Sequence, residues 1–316
     1  MEKENIKLAN SYNVANLPNY VDQLRPDLIA KAVIGAKSAG LFNLLTGVKG
    51  PTALNLIGTE VVFGDGATCG WNEAGATSLS QAVLTPRALK INMSICDKNL
   101  LSKWANYLVK VQANKLDGDL PFEEYFINDV LKNVKAGIEK MIYQGNSATA
   151  GVVEFDGLIK ILNAQGSGAI TASGTAGESA YDFIKKVAAA MPASILDKDD
   201  LAILVPMPMY MTFIQDLVTA NLYHYNPGNG ENEYLLPGTN IKVIGVNGLN
   251  DADANNDYAI GASLSNLFYG TNLQDGDEIF DLWYSKDNRE FRLAIEFVAG
   301  VQVAYANEVV FGTKAK

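Results

Sequence analysis

PFEEYFINDVLKNVKAGIEKMIYQG, residues 121–145, is the stretch on which the fold of this chain turns. Phe122, Phe126, Ile127, Val130, Leu131, Val134, Ile138, Met141 and Ile142 recur with a 3.6-residue period and form one apolar stripe. Pro121 sits near the start, Glu123 and Glu124 occupy the electropositive first turn, Lys140 lies near the electronegative end, and Gly145 stops the run. At 1.5 Å per residue the helix is about 35 Å long. A stripe of that length needs a sheet to cover it.

The sheet is written at the far end of the chain. EIFDLWY is followed by the turn SKDNRE and then by FRLAIEFVAGVQVAYANEVVF, in which Phe291, Leu293, Ile295 and Phe297 share one face of a strand. The first and last thirds therefore pack together, and the residues between them form an insertion. Within it, a loop of Gly, Ser, Thr and Ala at 166–177 precedes a helix over 179–190. A buried strand LAILV at 201–205, a helix over 207–220, and strands around 241–246 and 258–261 follow. This alternation predicts an α/β subdomain.

Ahead of the long helix the text is looser. The Asn-rich sequence up to Tyr20 reads as an extended arm. TEVVF (59–63) and ALKINMSI (88–95) alternate as strands, and the small, polar, glycine-bearing residues 65–85 read as a long excursion between them. Asp97 is placed to cap a helix whose apolar residues Leu100, Leu101, Trp104, Leu108 and Val111 carry it to about Asn114.

A chain of 316 residues, 48% hydrophobic and 19% charged, can bury a substantial core in two subdomains or one domain with extensions. Lys31, Lys37 and glycines interrupt its longest apolar region, 28–48, which is too broken to span a membrane. MEKENIKLAN has no apolar run behind it, so no secretory signal is expected and the protein stays in the cytosol where it is made. Cys69 and Cys96 make neither a CxxC pair nor a disulfide framework, and one histidine is too few for a zinc site. A formal charge of −10 argues against a sequence-reading nucleic-acid protein. The charge is uneven: residues 197–257 hold nine carboxylates against two lysines, whereas the first fifty residues hold six basic groups against four acidic ones.

Constellations of catalytic type are weak. There is no G-x-S-x-G, H-E-x-x-H or Walker loop, and His224 sits in the loop-like NLYHYNPGNG. Asp251, Asp253 and Asn255 have calcium-loop spacing, but Asn256 and Ala262 stand where that pattern wants glycine and glutamate, which leaves a solvated loop. FGDGATCGWNEAG, residues 63–75, is followed by ATSLSQAVLTPRA and not by a capped helix, so its glycines do not cradle a phosphate. They let a protruding loop bend, and a tryptophan exposed there is a liability unless a partner covers it. Phe63, Trp71, Asn72, Glu73 and Arg87 are thus candidate intersubunit contacts, and no catalytic, cofactor-binding or metal-binding residue is assigned.

This order of parts resembles the major capsid protein of tailed bacteriophages, the Hong Kong ninety-seven fold. The residues that carry the resemblance are WNEAGATSLSQAVLTPRALKINMSI, then FEEYFINDVLKNVKAGIEKMIYQGN with EFDGLIKIL, and NLFYGTNLQDGDEIFDLWYSKDNREFRLAIEFVAGVQVAYANEVVF. The resemblance implies an α+β fold in four parts: an N-terminal arm over 1–49, an extended β-hairpin loop over 50–93, a peripheral domain over 94–165 and 276–316 with its spine helix at 121–144, and an inserted α/β axial domain over 166–275. It also implies self-assembly into hexamers and pentamers of an icosahedral shell, with a portal protein, a scaffolding protein, and non-specific contact with packaged double-stranded DNA, in a virion assembled in the host bacterial cytoplasm. No enzymatic activity and no cofactor are implied.

Two departures from the family pattern carry expectations. Some members have a long scaffolding segment before the arm; this sequence starts almost at the arm, so a separate scaffold or a processed form is expected. Some members weld their shells through an isopeptide bond from an extended-loop lysine to an asparagine; here no lysine lies between Lys49 and Lys90, so a non-covalent shell is expected. The competing readings are an encapsulin-like bacterial compartment, a family that usually lacks so long an arm and binds cargo peptides inside, and a cation-dependent hydrolase built on the acidic loop near Asp251 and His224.

Overall fold

The computed structural model describes residues 28, 30–60, 62, 76–96, 122–151, 153–164, 166–222, 232–272, 279–288 and 290–316. In chain order these hold α1 (Lys37–Leu41), β1 (Asn43–Leu45), β2 (Thr52–Glu60), β3 (Ala76–Leu84), β4 (Arg87–Cys96), α2 (Phe122–Gln144) and α3 (Leu158–Asn163). There follow β5 (Ile170–Gly174), α4 (Ala180–Ala189), β6 (Leu201–Pro206), α5 (Met207–Thr219), β7 (Glu233–Leu235) and β8 (Lys242–Val246). The chain closes with β9 (Asn256–Ser263), β10 (Leu267–Thr271), β11 (Ile279–Ser285), β12 (Glu290–Val303) and β13 (Val310–Ala315).

The long helix forms where its periodicity requires it. Ile127, Val130, Leu131, Val134, Ile138 and Ile142 are buried, and the Gly145 amide donates to the Met141 carbonyl at 3.0 Å as the helix ends. The stripe lies in one apolar cluster with Phe280, Leu282, Phe291, Leu293, Ile295 and Phe297 of a five-stranded sheet. That sheet runs β1-β10-β12-β11, with β4 also on β12. Burial along β12 alternates, because successive side chains of a strand point to opposite faces. Leu28, Ala32, Val33, Ala36, Ala39 and Phe42 of the N-terminal segment join the cluster, as do Leu158 and Leu162 of α3 and Leu204, Ile244, Val246 and Ile260 of β6, β8 and β9.

A second sheet, β5-β13-β9-β6-β8-β7, carries a second core. All six positions of β6 are buried, as a strand covered on both faces requires. Phe183, Ile184 and Val187 of α4 and Met209, Phe213 and Leu217 of α5 pack there. Ser179 caps α4 by accepting from the Asp182 amide at 3.1 Å, while its hydroxyl donates to the Asp182 carboxylate at 2.8 Å.

Four expectations are corrected. ATSLSQAVL, read as excursion, is the strand β3, antiparallel to β2 from Thr52↔Leu84 to Glu60↔Ala76; β2 itself begins well before TEVVF. Residues 87–93, placed in the extended loop, pair with β12 within the five-stranded sheet. Pro86, which lacks an N–H for a ladder, stands between β3 and β4 and divides them. ITASG, inside the supposed small-residue loop, is β5, parallel to β13. Finally, β13 leaves the five-stranded sheet, expected to hold the strands of 276–316 as a whole, and pairs with β9 and β5 in the other. The helix expected from Asp97 to Asn114 lies outside the described residues.

Candidate functional site

The β2–β3 hairpin leaves one of its faces uncovered. Pairing sets Ala53, Asn55 and Ile57 opposite Val83, Gln81 and Leu79 on one face, and all six are exposed. Ile57 is 61% exposed, its cross-strand partner Leu79 is 79% exposed, and Val83 is 45% exposed. A side-chain hydrogen bond on that face, from Gln81 Nε2 to Asn55 Oδ1 at 2.8 Å, ties the strands together midway. On the opposite face Thr52, Leu54, Leu56 and Ala82 are half-buried and Leu84 is fully buried.

The hairpin base is seated on a pair of glycines. Gly270 of β10 and Gly300 of β12 are register partners. A Cβ on Gly270 would lie 3.0 Å from Leu84 Cδ2, and one on Gly300 would lie 2.8 Å from Pro86 Cα. The absence of two side chains thus lets the segment 84–86 cross the sheet in contact with its backbone. Gln302 Nε2 donates to the Val83 carbonyl at 2.6 Å beside this seat. Further out, β2 overhangs a cleft of about 400 Å³ lined in part by Phe268, Asn266, Tyr305 and the ion pair of Lys198 with Glu308 at 3.0 Å.

Of the candidate contact residues, Arg87 is exposed and opens β4 opposite Ala299, at the hairpin's root and not on its outer face. Phe63, Trp71, Asn72 and Glu73 lie outside the described residues, as does His224. The uncovered pair Ile57 and Leu79 was missed by sequence reasoning; the alternation ALNLI, had it been matched to SLSQAVL as a partner strand, was the available signal.

The calcium-like spacing resolves into a self-satisfied loop. The Asp253 carboxylate accepts from the Asn255 amide at 3.0 Å, from Asn256 Nδ2 at 2.8 Å and from the Tyr258 hydroxyl at 2.9 Å. These bonds, the amide's first, hold its pKa down at about 2. Among the described residues no three His, Cys, Asp or Glu side chains gather as a metal site, and no helix is long and apolar enough to cross a membrane. Cys96, at the end of β4, is an exposed free thiol.

No protein-family model matches the sequence, and no curated protein matches it. Solved structures do. A chain of the native GTA particle capsid aligns with a TM-score of 0.57 at 12% identity, over 100% of this chain and 96% of the other. One from the procapsid of satellite phage P4 that includes the size determination protein gives 0.57 at 9% identity, over 98% and 93%. One from Gordonia phage Cozz gives 0.55 at 11% identity, over 88% and 86%. The chain has the phage capsid fold, an arrangement of mixed helices and sheets shared over nearly its whole length.

Proposed function

We propose that this protein is a major capsid protein of a tailed bacteriophage, a structural and non-enzymatic component of the virion shell. The carrying observation is the hairpin: on a fold shared with phage capsids, one face of a two-stranded ribbon leaves Ile57, Leu79 and Val83 uncovered together. A two-stranded ribbon is marginal alone in water, and its exposed face finds a cover when a neighbouring copy lies across it. Head-to-tail contacts of this sort close into rings, here hexamers and pentamers, and a reaching hairpin joins a ring to its neighbours. Phe63, Trp71, Asn72 and Glu73 take part in the same contact, and Arg87 serves the hairpin's root.

In this reading the five-stranded sheet with α2 as spine is the core of the peripheral domain, and the six-stranded sheet is the core of the axial domain, with β13 in the latter. Residues 1–49 form the arm. The acidic stretch 197–257 faces away from DNA, and packaged double-stranded DNA meets the arm and the exposed face of α2 through non-specific, salt-sensitive contacts. A portal and a scaffolding protein assist assembly in the host cytoplasm. The lysine-free interval between Lys49 and Lys90 supports a non-covalent shell.

Negative-stain electron microscopy and size-exclusion chromatography of the purified protein test the reading. Rings or closed shells are expected; a persistent monomer under all assembly conditions overturns it. Denaturing electrophoresis of the shells should give a single band, and a ladder of joined species would contradict the non-covalent assignment. Trp71→Ala should lower the temperature at which shells come apart.

A further inference from the structure

Five lysines of this chain stand in ion pairs: Lys90 with Glu296 at 2.8 Å, Lys160 with Asp156 and Lys186 with Glu178 at 2.6 Å, Lys198 with Glu308 at 3.0 Å and Lys316 with Asp257 at 3.6 Å. Lys31, Lys132, Lys135 and Lys140 have none among the described residues. Lys185, Lys242 and Lys286 also lack one, but they stand apart on α4, on β8 and in the turn between β11 and β12. The first four belong to the N-terminal segment and α2, where residues 28–48 and 130–144 together hold five lysines against one carboxylate, Glu139. That carboxylate is buried. In a chain with 35 acidic residues and a formal charge of −10, counter-charges are plentiful. Ammonium groups gathered without one repel each other, and an anion from outside relieves the repulsion.

Two elements build the patch. The N-terminal segment runs beside α2 in the same direction, since Gly35 meets Lys135 and Ser38 meets Glu139 one turn further on. A Cβ on Gly35 would overlap Lys135 Cε and lie 2.9 Å from its Nζ, so the lysine lies across bare backbone. Lys31, one turn before Gly35, comes to about the level of Lys132. Lys132, Ala136 and Lys140 stand at i, i+4 and i+8 of α2, and all three are exposed. Beneath them the joint is fixed. The Ser38 amide donates to Glu139 Oε2 at 2.9 Å, the Ser38 hydroxyl donates to Oε1 at 2.6 Å, and the Tyr143 hydroxyl lies 2.6 Å from Ser38 Oγ. Burial raises the Glu139 pKa, while the Ser38 bonds and the charge of Lys37 favour its ionised form. Lys37 Nζ itself donates to the Gly245 carbonyl at 3.1 Å. On the inner side a Cβ on Gly248 would overlap the Glu139 carbonyl oxygen, which shows how closely the turn 247–249 backs this joint. Glu139 thus holds the two elements together and makes no ion pair with the four lysines outside.

We infer that Lys31, Lys132, Lys135 and Lys140 form one composite site for the phosphate backbone of duplex DNA, assembled when the N-terminal segment docks on α2. The inference deepens the DNA contact of the capsid reading, and it rests on that reading for the identity of the polyanion. The shape of the patch favours an extended ligand over a small anion. Lys132 and Lys140 are about 12 Å apart along the helix axis, the rise of three to four phosphates of one strand. The four side chains are ammonium groups on flexible stems, which neutralise phosphates without reading base edges. Asn133, the exposed amide among them, is turned back onto its own helix, its Nδ2 donating to the Asp129 carbonyl at 3.0 Å. Binding is therefore independent of sequence and steeply dependent on salt.

The test is fluorescence anisotropy of a labelled duplex of about 20 base pairs and arbitrary sequence, titrated with the unassembled full chain at several salt concentrations. Four phosphate contacts should give a log–log salt slope of about −3.6, an affinity loss of about 150-fold between 50 and 200 mM salt. The variant Lys31→Gln, Lys132→Gln, Lys135→Gln should bind more weakly and flatten that loss to about 4-fold. Lys185→Gln, Lys242→Gln, Lys286→Gln removes the same charge elsewhere and should leave the slope as it was. Hydrogen-exchange protection of the Ser38 amide, equal in parent and variants, shows that the segment stays docked; should the triple variant lose it, Lys31→Gln, Lys132→Gln is read instead, with the slope reduced by about 1.8. No binding at low salt, an equal slope in the parent and the patch variant, or displacement of the duplex by poly-glutamate at equal charge, which would give the patch to an acidic protein segment, each overturns the inference. Its failure is separable from that of the capsid reading: shells formed by a chain that binds no duplex sink the patch alone, and a duplex bound with the expected slope by a chain that never assembles sinks the capsid reading alone.

Discussion

The long helix α2 and the β2–β3 hairpin obey the same rule of amphipathic patterning and meet opposite fates. The helix stripe is buried in one cluster with the five-stranded sheet, the N-terminal segment, α3 and residues of β6, β8 and β9, so that Ile127, Ile138 and Ile142 are fully buried. The hairpin is covered on one face only, and its other face presents Ile57 and Leu79 to solvent. The helix is completed within its own chain. The hairpin is left open on one face, and in the capsid reading proposed above that face is covered by another copy.

The contrast breaks most visibly at the helix. Ile138→Ala should cost about 2–5 kcal/mol of folding stability, through lost burial and a cavity that the rigid sheet cannot close. A denaturant midpoint close to that of the parent would show that the stripe is less tightly covered than described. Gly248→Ala should come next, at about 1–3 kcal/mol, because the added Cβ meets helix backbone at 2.2 Å and the turn must retreat. Thermal unfolding checks the value, and the loss should be accompanied by weaker protection of Ser38.

Two carboxylates sharpen the comparison by pH. Asp253, on an exposed loop, is held at about 2 against an ordinary 3.8, so its stabilisation of the loop is present above 3.8 and is lost as pH falls through about 2. Glu139, in the core, shifts the other way. Carboxylate titrations followed by NMR should therefore move in opposite directions from the usual range, and Asp253→Asn should abolish the acid sensitivity of the loop alone.

How much of this was legible in the sequence follows from the strength of local pattern. The α2 stripe, LAILV and the alternation of Phe291, Leu293, Ile295 and Phe297 name their own secondary structure, because apolar spacing there is dense and uninterrupted. ATSLSQAVL and ITASG do not: their small and polar residues become strands only because β2 and β13 offer free edges to pair with. The exchange of β13 between sheets was hidden for the same reason, since FGTKA says nothing about which edge it will join. At the candidate site, the loop expected at 63–75 lies outside the described residues, and the identity of the uncovered pair beside it could not be read. Ile57 and Leu79 become neighbours only through a register that Leu84, lodged against Gly270, sets at the hairpin base. The Glu139 network was equally hidden, for its serine lies 101 residues away.

The smallest effect on folding should coincide with the largest on assembly. The double variant Ile57→Ser, Leu79→Ser alters exposed side chains only and should change the unfolding free energy by no more than about 0.5 kcal/mol per site. Electron microscopy of the variant beside the parent, under conditions in which the parent closes into shells, measures the central claim directly. The account predicts a folded protein that forms no closed shells; shells of the variant as abundant and as heat-resistant as those of the parent would contradict it.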